Sequence, residues 1–413
     1  MPVVVQKYGG SSVADIDKLS RVADQVVQTK KAGHDVVVVV SAMGKTTDSL
    51  LSLAAQAARS AETISDAGAP KRELDMLVST GERVSMSLLS IAIHARGFDA
   101  VSFTGSQSGI ITNDRHFDAR IIEVRPHRLE DELARGKIVI VAGYQGMSYK
   151  REITTLGRGG SDTTAVALAA ALGAERCEIY SDVDGVYSAD PRVVPDARHL
   201  PTLDYETMQE MAEAGAKVLN AQAVEWARRS RVTIAARRTG DALGGGGRET
   251  LVNDDNPQSA LVLSVVVARP VVLIESEATE VPRLLSVAQD LQLPIGDSSI
   301  LGKRAAVWCP LVGVPNAEAA VSSLAGAGFN AQGDRAVVSL VGVESGNDAA
   351  RVARALAMAP EGSCTFTHPL RQSFVVPTSA ADTLARQLHQ QFVSTADAPG
   401  KGANLAGQLG ACP

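Results

Sequence analysis

Short apolar runs, rich in β-branched residues, alternate with longer segments of helical periodicity over the first 240 residues. Strands are predicted at Val3 to Gln6, Val36 to Val40, Ile138 to Val141 and Glu178 to Tyr180, each closely followed by Gly, Ser or Asp. Helices are predicted at Asp15 to Ala32, Arg72 to Ala95, Ala119 to Arg135, Asp162 to Leu172 and Tyr205 to Ser230. This alternation predicts an α/β domain with a mostly parallel sheet between helices, in which ligands bind at the carboxyl ends of the strands.

The pattern changes after residue 240. Gly240 and Gly244 to Gly247 stand in a stretch with almost no apolar side chain, which predicts a linker over residues 241–258. Beyond it, strands are predicted at Ser259 to Ala268, Val271 to Glu275, Ala305 to Cys309, Ala336 to Val343 and Ser373 to Pro377. Helices are predicted at Val281 to Leu291, Ala317 to Ala327, Asp348 to Met358 and Ala380 to Phe392. Residues 259–393 therefore predict one or two α+β units of the split βαβ type, and residues 394–413, rich in Gly, Ala and polar residues, predict a disordered tail.

Composition excludes several classes of protein. The 413 residues are 45% hydrophobic, which allows two or three domains with apolar cores. Forty basic and forty-six acidic side chains give a net charge of −6, so we expect neither a nucleic-acid partner nor an anionic membrane. The longest apolar run, Ala165 to Leu172, is far shorter than the roughly twenty residues that span a bilayer. Because the N-terminus also lacks the features of a signal peptide, we expect a cytoplasmic protein.

The cysteines and histidines predict no disulfide and no protein-bound metal. The four cysteines, Cys177, Cys309, Cys364 and Cys412, lie far apart in the chain and form no C-x-x-C pair. The seven histidines show no spacing typical of metal ligands.

The segment Lys7-Tyr8-Gly9-Gly10-Ser11-Ser12 follows the first predicted strand and precedes a long helix. Two glycines allow the backbone to approach a ligand closely, and Lys7 adds a positive charge. A helix N-terminus adds unpaired N–H groups, so the segment is typical of a phosphate site. The alternative is an ordinary strand-to-helix turn with a surface lysine.

Two further segments carry candidate chemistry. Gly157-Arg158-Gly159-Gly160-Ser161-Asp162 begins a helix and supplies a guanidinium for a carboxylate and an acid that could orient a lysine or a metal ion. Tyr180 to Tyr187, followed by Asp190-Pro191-Arg192, ends a strand in acids and turn residues. The alternatives are a glycine-rich loop with solvated charges and a simple β-turn.

Together these segments resemble the aspartokinases of the amino acid kinase family, and the form of the first segment resembles actinobacterial members. The resemblance covers residues 1 to 240 in order. It rests on Lys7 to Val13, Val40 to Gly44 with Thr46 to Asp48, Arg72 to Met76, Ser79 to Arg83, Ser102 to Ser106, Gly143 to Gly146, Thr154 to Thr164, Glu178 to Arg192 and Gly215 to Leu219. It implies a three-layer αβα kinase domain, followed by paired ACT-like domains with a ferredoxin-like fold.

The resemblance also implies the role of each site residue. Catalysis is implied for Lys7, Gly9, Gly10 and Asp162. Binding of L-aspartate is implied for Ser41, Thr47, Glu82, Arg158 and Ser161, with Arg158 on the α-carboxylate and Glu82 on the ammonium group. Binding of ATP is implied for Ser11, Ser181, Asp182, Tyr187, Arg192 and Lys217, with Mg²⁺ held through the phosphates.

The implied reaction makes L-aspartyl 4-phosphate, the precursor of lysine, threonine, methionine and diaminopimelate. An aspartate carboxylate, with a pKa of about 4, is already ionised at pH 7, so the nucleophile needs no general base. This agrees with the lack of a candidate catalytic histidine or cysteine. Two alternatives stay open: a kinase for glutamate or a modified aspartate, and a non-catalytic subunit that senses amino acids.

The second region departs from the family pattern. The Pro-Gly pair that usually opens each ACT helix is missing from both loops, residues 276–280 and residues 344–348. We therefore expect weak or absent inhibition by lysine and threonine. In the first region, the sequence Asn220-Ala-Gln-Ala-Val-Glu225 that follows Lys217 also departs from the family pattern, because it lacks the usual basic residue. The ACT-like sheets predict a homodimer, because such sheets often pair edge to edge.

Overall fold

The computed structural model describes residues 1–59, 69–157, 159–240, 247–254, 264–291, 293–312, 314, 317–342 and 346–393. Internal contacts divide the chain into two compact units. The first unit comprises Met1–Tyr187 and Arg198–Gln258, and the second comprises Ser188–Ala197 and Ser259–Pro413. The segment Ser188–Ala197 thus belongs to the second unit, although it lies within the predicted kinase domain of residues 1–240.

The first unit contains strands β1 to β14 and helices α1 to α8. In chain order these are β1 (Val3–Tyr8), α1 (Ile16–Lys31), β2 (Asp35–Val40), α2 (Thr46–Arg59), α3 (Lys71–Val78), α4 (Thr80–His94), β3 (Ala100–Phe103), β4 (Ile110–Thr112), β5 (Ile121–Val124), α5 (His127–Ala134), β6 (Ile138–Ala142), β7 (Gln145–Ser148), β8 (Ile153–Thr155), α6 (Gly160–Ala171), β9 (Arg176–Ser181), β10 (Val186–Tyr187), β11 (His199–Leu200), β12 (Thr202–Leu203), α7 (Tyr205–Glu213), α8 (Ala221–Ser230), β13 (Ile234–Arg238) and β14 (Glu249–Val252).

The main sheet of the first unit is mostly parallel. Among the described residues it has eight strands in the order β12-β14-β13-β9-β1-β2-β6-β3, and only the β13 to β14 pairing is antiparallel. The central strands β2 and β6 are almost entirely apolar, as expected of parallel strands that are covered on both faces, whereas the neighbouring β1 and β9 also carry buried polar side chains, Gln6 and Glu178. Tyr8 pairs with Val40 and with Tyr180, so β1, β2 and β9 end level with one another at one edge of the sheet.

Helices cover both faces of this sheet, which confirms the predicted α/β class and its three layers. On one face Val22 and Val26 of α1 and Leu89 of α4 pack against Val36 and Val38 of β2. Helix α6 contacts β1, β2 and β9 from the other face, and its Ala165 to Ala169 are buried. A smaller sheet, in the order β5-β4-β7-β8, lies beside this main body within the first unit.

Several element boundaries in the first unit differ from prediction. The predicted helix at Ala119 to Arg135 is β5 followed by α5, because Ile121 and Ile122 favour a strand and Pro126 precedes the new helix. The helices predicted at Arg72 to Ala95 and Tyr205 to Ser230 are each two helices, α3 with α4 and α7 with α8. The predicted linker over 241–258 contains β14, which pairs with β13 and β12, so part of this linker belongs to the sheet.

Within the described residues, one stretch, Lys71–His94, is long and apolar enough to cross a membrane by length and composition alone. It consists of α3 and α4. Met86, Leu89 and Ile93 of α4 lie in the core cluster that also contains β2 and β6 residues. This burial is typical of a core helix in a globular unit.

The second unit contains β15 (Ser264–Glu277), α9 (Val281–Asp290), β16 (Ser298–Leu301), β17 (Arg304–Pro310), α10 (Ala317–Gly326), β18 (Asn330–Val341), α11 (Ala349–Met358), β19 (Cys364–His368), β20 (Arg371–Pro377) and α12 (Thr378–Leu388). In the described part of the chain these strands form one antiparallel sheet of six, in the order β16-β17-β15-β18-β20-β19. The predicted strands at Ser259 to Ala268 and Val271 to Glu275 are joined in β15. The predicted disordered tail and residues 259–263 lie outside the described residues.

Apolar clusters hold the second unit together. One cluster joins α9 and α10 to the sheet through Ile274, Leu284 and Leu324, and another joins α12 to β18 and β20. The second cluster includes Ala189, Val193 and Val194, which explains why this segment belongs to the second unit. A third cluster, around Trp308, uses the alternate positions of the same strands and therefore lies on the other sheet face.

Candidate active site

Lys7 lies at the carboxyl end of β1 and forms an ion pair with α6. Gln6 donates a hydrogen bond to Thr29 of α1 on one face of the sheet, so strand alternation places Lys7 on the opposite face. Its Nζ is 2.6 Å from Oδ1 of Asp162, and these side chains are only 12% and 10% exposed. The pair fixes an ammonium group at the carboxyl edge of the sheet.

Two glycines keep the space around this ammonium open. A Cβ on Gly9 would lie 3.5 Å from the Lys7 Nζ, and one on Gly10 would lie only 2.8 Å from the carbonyl oxygen of Ala42. The Gly44 amide donates to the Gly10 carbonyl at 3.0 Å. The loops after β1 and β2 therefore pack backbone against backbone, which only glycine permits at position 10.

The first turn of α6 carries Ser161 and Asp162, both buried. Its N-cap is Gly159, whose φ of 70° lies in the left-handed region that favours glycine. A Cβ there would also clash with the side chain of Asn220, at 2.3 Å from its Nδ2. Asp162 stands at the positive end of the helix dipole, which stabilises its carboxylate.

Glu82, in the first turn of α4, is buried next to the loop after β2. The Ala42 amide donates to Oε1 at 3.1 Å. Oε2 is buried and, among the described residues, has no hydrogen-bond partner. Burial raises the pKa of Glu82 from its ordinary value to about 7, although the Ala42 amide acts against this shift. A buried carboxylate oxygen without a partner is suited to a cationic group.

Three of the four remaining residues predicted for the aspartate site lie among the described residues. The Ser41 amide donates to the Tyr8 carbonyl, which holds the loop after β2 beside the end of β1. Thr47 lies in the first turn of α2. Ser161 packs against Gly143, where a Cβ would lie 2.7 Å from the serine Oγ. Arg158 lies outside the described residues.

The predicted nucleotide residues of β9 lie on the loop that follows it. Gly9 donates its amide hydrogen to the Tyr180 carbonyl, so the β1 loop is adjacent to the residue before Ser181. Asp182 is exposed, and the Tyr187 hydroxyl donates to Asp184 at 2.9 Å. The structure thus brings the loop with Ser181, Asp182 and Tyr187 next to Gly9.

The other three predicted nucleotide residues lie in other segments of the chain. Ser11 is exposed in the turn after Gly10, and Lys217 is exposed in the segment between α7 and α8. Arg192 belongs to the Ser188–Ala197 segment of the second unit, where it forms an exposed ion pair with Asp190 at 2.7 Å.

Sequence reasoning missed several residues that shape the site. Asn220, noted only as a departure from the family pattern, caps α8 and fills the space over Gly159. His199 stacks edge-on against Tyr187, and Arg248 donates to its hydroxyl. Asp75 is buried and binds Thr155, close to the Gly157 loop. The sequence signal for Asn220 was its position next to the Gly215 to Leu219 motif, whereas Asp75 lies within the Arg72 to Met76 motif, to which no site role was assigned.

The sequence model of the amino acid kinase family matches residues 2–236, more than half of the chain. The chain belongs to the amino acid kinase family. Within this family it is similar to aspartokinases, which confirms the resemblance found in its motifs.

Curated relatives match the kinase part of the chain. The aspartokinase of Mycolicibacterium smegmatis is 59% identical over 238 residues, which are 57% of this chain and 55% of that protein. The aspartokinase of Corynebacterium glutamicum is 55% identical with the same coverage. The match thus spans about half the length of these curated relatives.

Solved structures match nearly the whole chain. Aspartokinase III of E. coli in complex with aspartate and ADP, in its R-state, has a TM-score of 0.77 and 25% identity, covering 95% of this chain and all of that one. The same enzyme in complex with lysine and aspartate, in its T-state, has a TM-score of 0.73 and 25% identity, with coverage of 94% and 99%.

Proposed function

We propose that this chain transfers the γ-phosphoryl group of ATP to the side-chain carboxylate of L-aspartate, giving L-aspartyl 4-phosphate and ADP. The observation that carries the proposal is the buried pair of Lys7 and Asp162 beside the glycine loop at the carboxyl edge of the sheet. The similarity to an aspartokinase structure that contains aspartate and ADP supports the same substrates here.

The chemistry requires placement and charge neutralisation. A β-carboxylate oxygen of aspartate forms a bond to the γ-phosphorus, while the bond from phosphorus to the β,γ-bridging oxygen breaks and its electron pair leaves with ADP. No proton is transferred, because the carboxylate is already ionised. Lys7 and the amide of Gly10 neutralise the charge on the transferred oxygens, and Asp162 holds Lys7 in place. The Gly9 amide, which the resemblance also implies for this role, donates to the Tyr180 carbonyl, so Gly9 contributes by leaving room beside the Lys7 Nζ.

The amino acid is recognised through its two charges. The buried Oε2 of Glu82 accepts the substrate ammonium group, which supplies the partner that this oxygen lacks among the described residues. Arg158 binds the α-carboxylate in two-pronged geometry, and Ser41, Thr47 and Ser161 complete the site. An α-amino acid needs one site for its ammonium group and one for its α-carboxylate, and Glu82 and Arg158 supply one of each.

ATP lies on the loop after β9, next to Gly9. Its contacts come from Ser11, Ser181, Asp182, Tyr187 and Lys217; Arg192, which the resemblance also implies for ATP, belongs to the second unit. The lysine, the Gly10 amide and the α6 dipole form a cationic environment that fits a triphosphate. Mg²⁺, held through the phosphates, supplies further neutralisation of the phosphoryl charge.

A substrate panel tests this proposal. ADP release is measured with L-aspartate, L-glutamate and hydroxyaspartate as acceptors, and the acyl phosphate is trapped with hydroxylamine. We expect ADP and trapped product in equal amounts, with aspartate as the best acceptor. Preference for glutamate or hydroxyaspartate would identify a kinase for a related acid. No release with any acceptor would overturn the kinase function and favour a sensing subunit.

The active protein is a homodimer that forms through the second unit. Strand β16 is an edge strand, and all four of its residues are exposed. Ile300 and Leu301 are 60% and 85% exposed, an apolar edge that a second copy would cover by antiparallel pairing. Light scattering of the wild type and of Leu301→Lys tests this: the variant should be monomeric, and an unchanged dimer would place the interface elsewhere.

The enzyme works in the cytoplasm at the first step towards the aspartate-family amino acids, with weak or absent feedback inhibition. The helix N-termini in the second unit support the last point. The carboxylate of Asp348 accepts from the Ala350 and Arg351 amides, so the chain itself occupies the start of α11. At the start of α9, Pro282 offers no N–H group. An effector carboxylate therefore finds few donors at either helix.

A further inference from the structure

Asp75 is a buried acid of the first unit that the proposed chemistry does not use. It lies in α3, and its side chain is fully buried. Oδ1 accepts from the Thr155 hydroxyl at 2.5 Å and from the Phe117 amide at 3.1 Å. Oδ2 is 2.6 Å from Nδ1 of His116. One carboxylate thus binds three groups from two separate chain segments.

Burying a carboxylate costs free energy, because its charged form loses its hydration. Such a group is typical of a position where the carboxylate holds other parts of the structure. Burial raises the pKa of Asp75, whereas the hydrogen bonds from Thr155 and His116 lower it. Removing such a carboxylate leaves several buried donors without a partner, and each unsatisfied donor costs about 1–3 kcal/mol. Formation of the α3 helix itself does not require a buried acid at position 75.

Both segments that Asp75 holds lie next to the predicted substrate loop. Thr155 ends β8, and its carbonyl accepts the Ala119 amide at 2.8 Å. Two residues later, Gly157 has a φ of 73°, and a Cβ there would lie 3.2 Å from the Asp118 carboxylate. Asp75 therefore holds both partners of the Thr155–Ala119 contact: it binds Thr155 directly, and it binds Phe117, two residues before Ala119. The Gly157 to Asp162 segment begins two residues after Thr155.

The same helix leads directly to the other half of the amino acid site. Helix α3 is followed by Ser79 and then by α4, whose first turn contains Glu82. The Ser79 carbonyl accepts from Nε2 of Gln145 at 2.8 Å, and Gln145 pairs with Thr155 across β7 and β8. Two buried hydrogen bonds, one from Thr155 and one from Gln145, thus tie α3 to this hairpin.

We propose that Asp75 is a positioning residue that holds the β7–β8 hairpin against α3 and so fixes Gly157 and the start of α6 relative to Glu82 in the amino acid site. The inference rests on the proposed function, because it assigns Glu82 and the Gly157 to Asp162 loop to one substrate. It predicts an effect on the amino acid that does not extend to ATP, since the nucleotide loop after β9 is not tied to Asp75.

The test compares four variants with the wild type. Asp75→Ala removes all three contacts, Asp75→Asn keeps an acceptor for Phe117 and Thr155, and Thr155→Val removes one hydroxyl without changing volume. Glu73→Gln, on the exposed face of the same helix, is the matched control. For each, KM for aspartate, KM for ATP, kcat and melting temperature are measured, and aspartate binding is followed by calorimetry.

We expect Asp75→Ala to raise the KM and the dissociation constant for aspartate about tenfold or more, with the KM for ATP within about twofold of wild type. Asp75→Asn should recover most of this loss, and Glu73→Gln should behave as wild type. If Asp75→Ala does not fold, Thr155→Val decides, with a smaller shift in the same direction. Equal changes in both KM values, or a lower melting temperature with unchanged KM for aspartate, would overturn the proposal. A wild type without aspartate-dependent ADP release would instead refute the proposed function.

Discussion

The two units of this protein are held together by different kinds of contact. In the first unit, particular atoms of a lysine, an acid and several glycines make close contacts: Nζ of Lys7 with Oδ1 of Asp162, and Gly10 with the Ala42 carbonyl. In the second unit, the sheet is held by apolar side chains that alternate between its two faces, with the Trp308 cluster on one face and the Ile274 cluster on the other. Curated aspartokinases match 57% of the chain in sequence and the family model matches residues 2–236, while similarity of fold extends over nearly the whole chain.

The difference follows from what each region requires of its residues. Phosphoryl transfer needs particular charged atoms at fixed distances, and a misplacement of about 1 Å can reduce the rate 100-fold. An antiparallel sheet packed on helices needs only side chains of the right polarity and approximate volume. The second unit can therefore lose its loop motifs and keep its fold, and the following experiments test how far the two units differ.

The largest effect is expected at the Lys7–Asp162 pair. Lys7→Ala or Asp162→Ala should lower kcat by about a thousandfold or more, because each changes the neutralisation of charge that develops in the transition state. Circular dichroism should show a folded protein in both cases. The variant Lys150→Ala, which removes an exposed lysine, serves as the control. A soluble Lys7 or Asp162 variant with wild-type kcat would remove that residue from the mechanism.

Arg158→Ala should act on aspartate alone. Loss of a two-pronged contact leaves the substrate carboxylate unpaired in the site, so the KM for aspartate should rise by about 100-fold. The KM for ATP should stay within about twofold of wild type. Steady-state kinetics with each substrate varied in turn gives both values. A rise in the KM for ATP without one for aspartate would assign Arg158 to the nucleotide.

Sequence pattern was sufficient for the parts of the fold that are repetitive or chemically specific. The strands β1, β2 and β6 contain the predicted runs, because continuous apolar β-branched residues are typical of buried parallel strands. Strand β9 contains the predicted mixed segment Glu178 to Tyr180. The glycine and charge motifs located the loops after β1 and β9. Turn residues also placed the start of α6 within two residues of Asp162.

Pattern was not sufficient where distant residues decide the structure. Strand β14 follows a glycine-rich stretch, and it exists because Thr250 and Val252 pair with β13. The segment Ser188–Ala197 joins the second unit through Val193 and Val194, which no local signal indicates. Asp75 and Asn220 act through partners 80 and 57 residues away, Thr155 and Thr163. Such contacts are set by tertiary packing and not by propensity.

Substitution in the second unit should change stability and not kinetics. Asp297 is buried, accepts from Trp308 Nε1 at 3.0 Å and pairs with the buried Arg371 at 2.6 Å. Asp297→Ala removes a buried carboxylate partner of this arginine, which should cost about 3 kcal/mol of unfolding free energy. Urea unfolding, followed by Trp308 fluorescence in a Trp226→Phe background, measures the loss, with Asp290→Ala as an exposed control.

The kinetic constants of Asp297→Ala sharpen this contrast. We expect kcat and both KM values within about twofold of wild type at a temperature where the variant is folded. Destabilisation without kinetic change would show that this buried network serves the fold of its own unit. A kcat that falls together with the stability of the second unit would show that catalysis depends on that unit's packing.

A smaller effect in the first unit comes from the protonation of Glu82. Because burial raises its pKa to about 7, the empty site is largely protonated below that pH, and only the carboxylate form accepts an ammonium group. The KM for aspartate should therefore rise about tenfold between pH 8 and pH 6. Glu82→Gln should have a higher KM that no longer varies over this range. A flat profile in the wild type would contradict the assignment of Glu82 to the ammonium group.

The smallest effect is expected from the amino acids at the end of the pathway. An effector shifts an equilibrium only by as much as it binds one state better than the other, through specific contacts. At α11 the Asp348 carboxylate already accepts the amides of Ala350 and Arg351, and at α9 Pro282 has no amide hydrogen to offer. Lysine, threonine or both together, at low millimolar concentration and subsaturating aspartate, should therefore lower the rate by less than about twofold. The Asp348→Ala variant, which frees the two α11 amides, is the informative companion experiment. Inhibition that appears only in this variant would show that capping of α11 by Asp348 makes the second unit insensitive. Half-maximal inhibition of the wild type in this concentration range would instead show that the diverged loops still bind an effector.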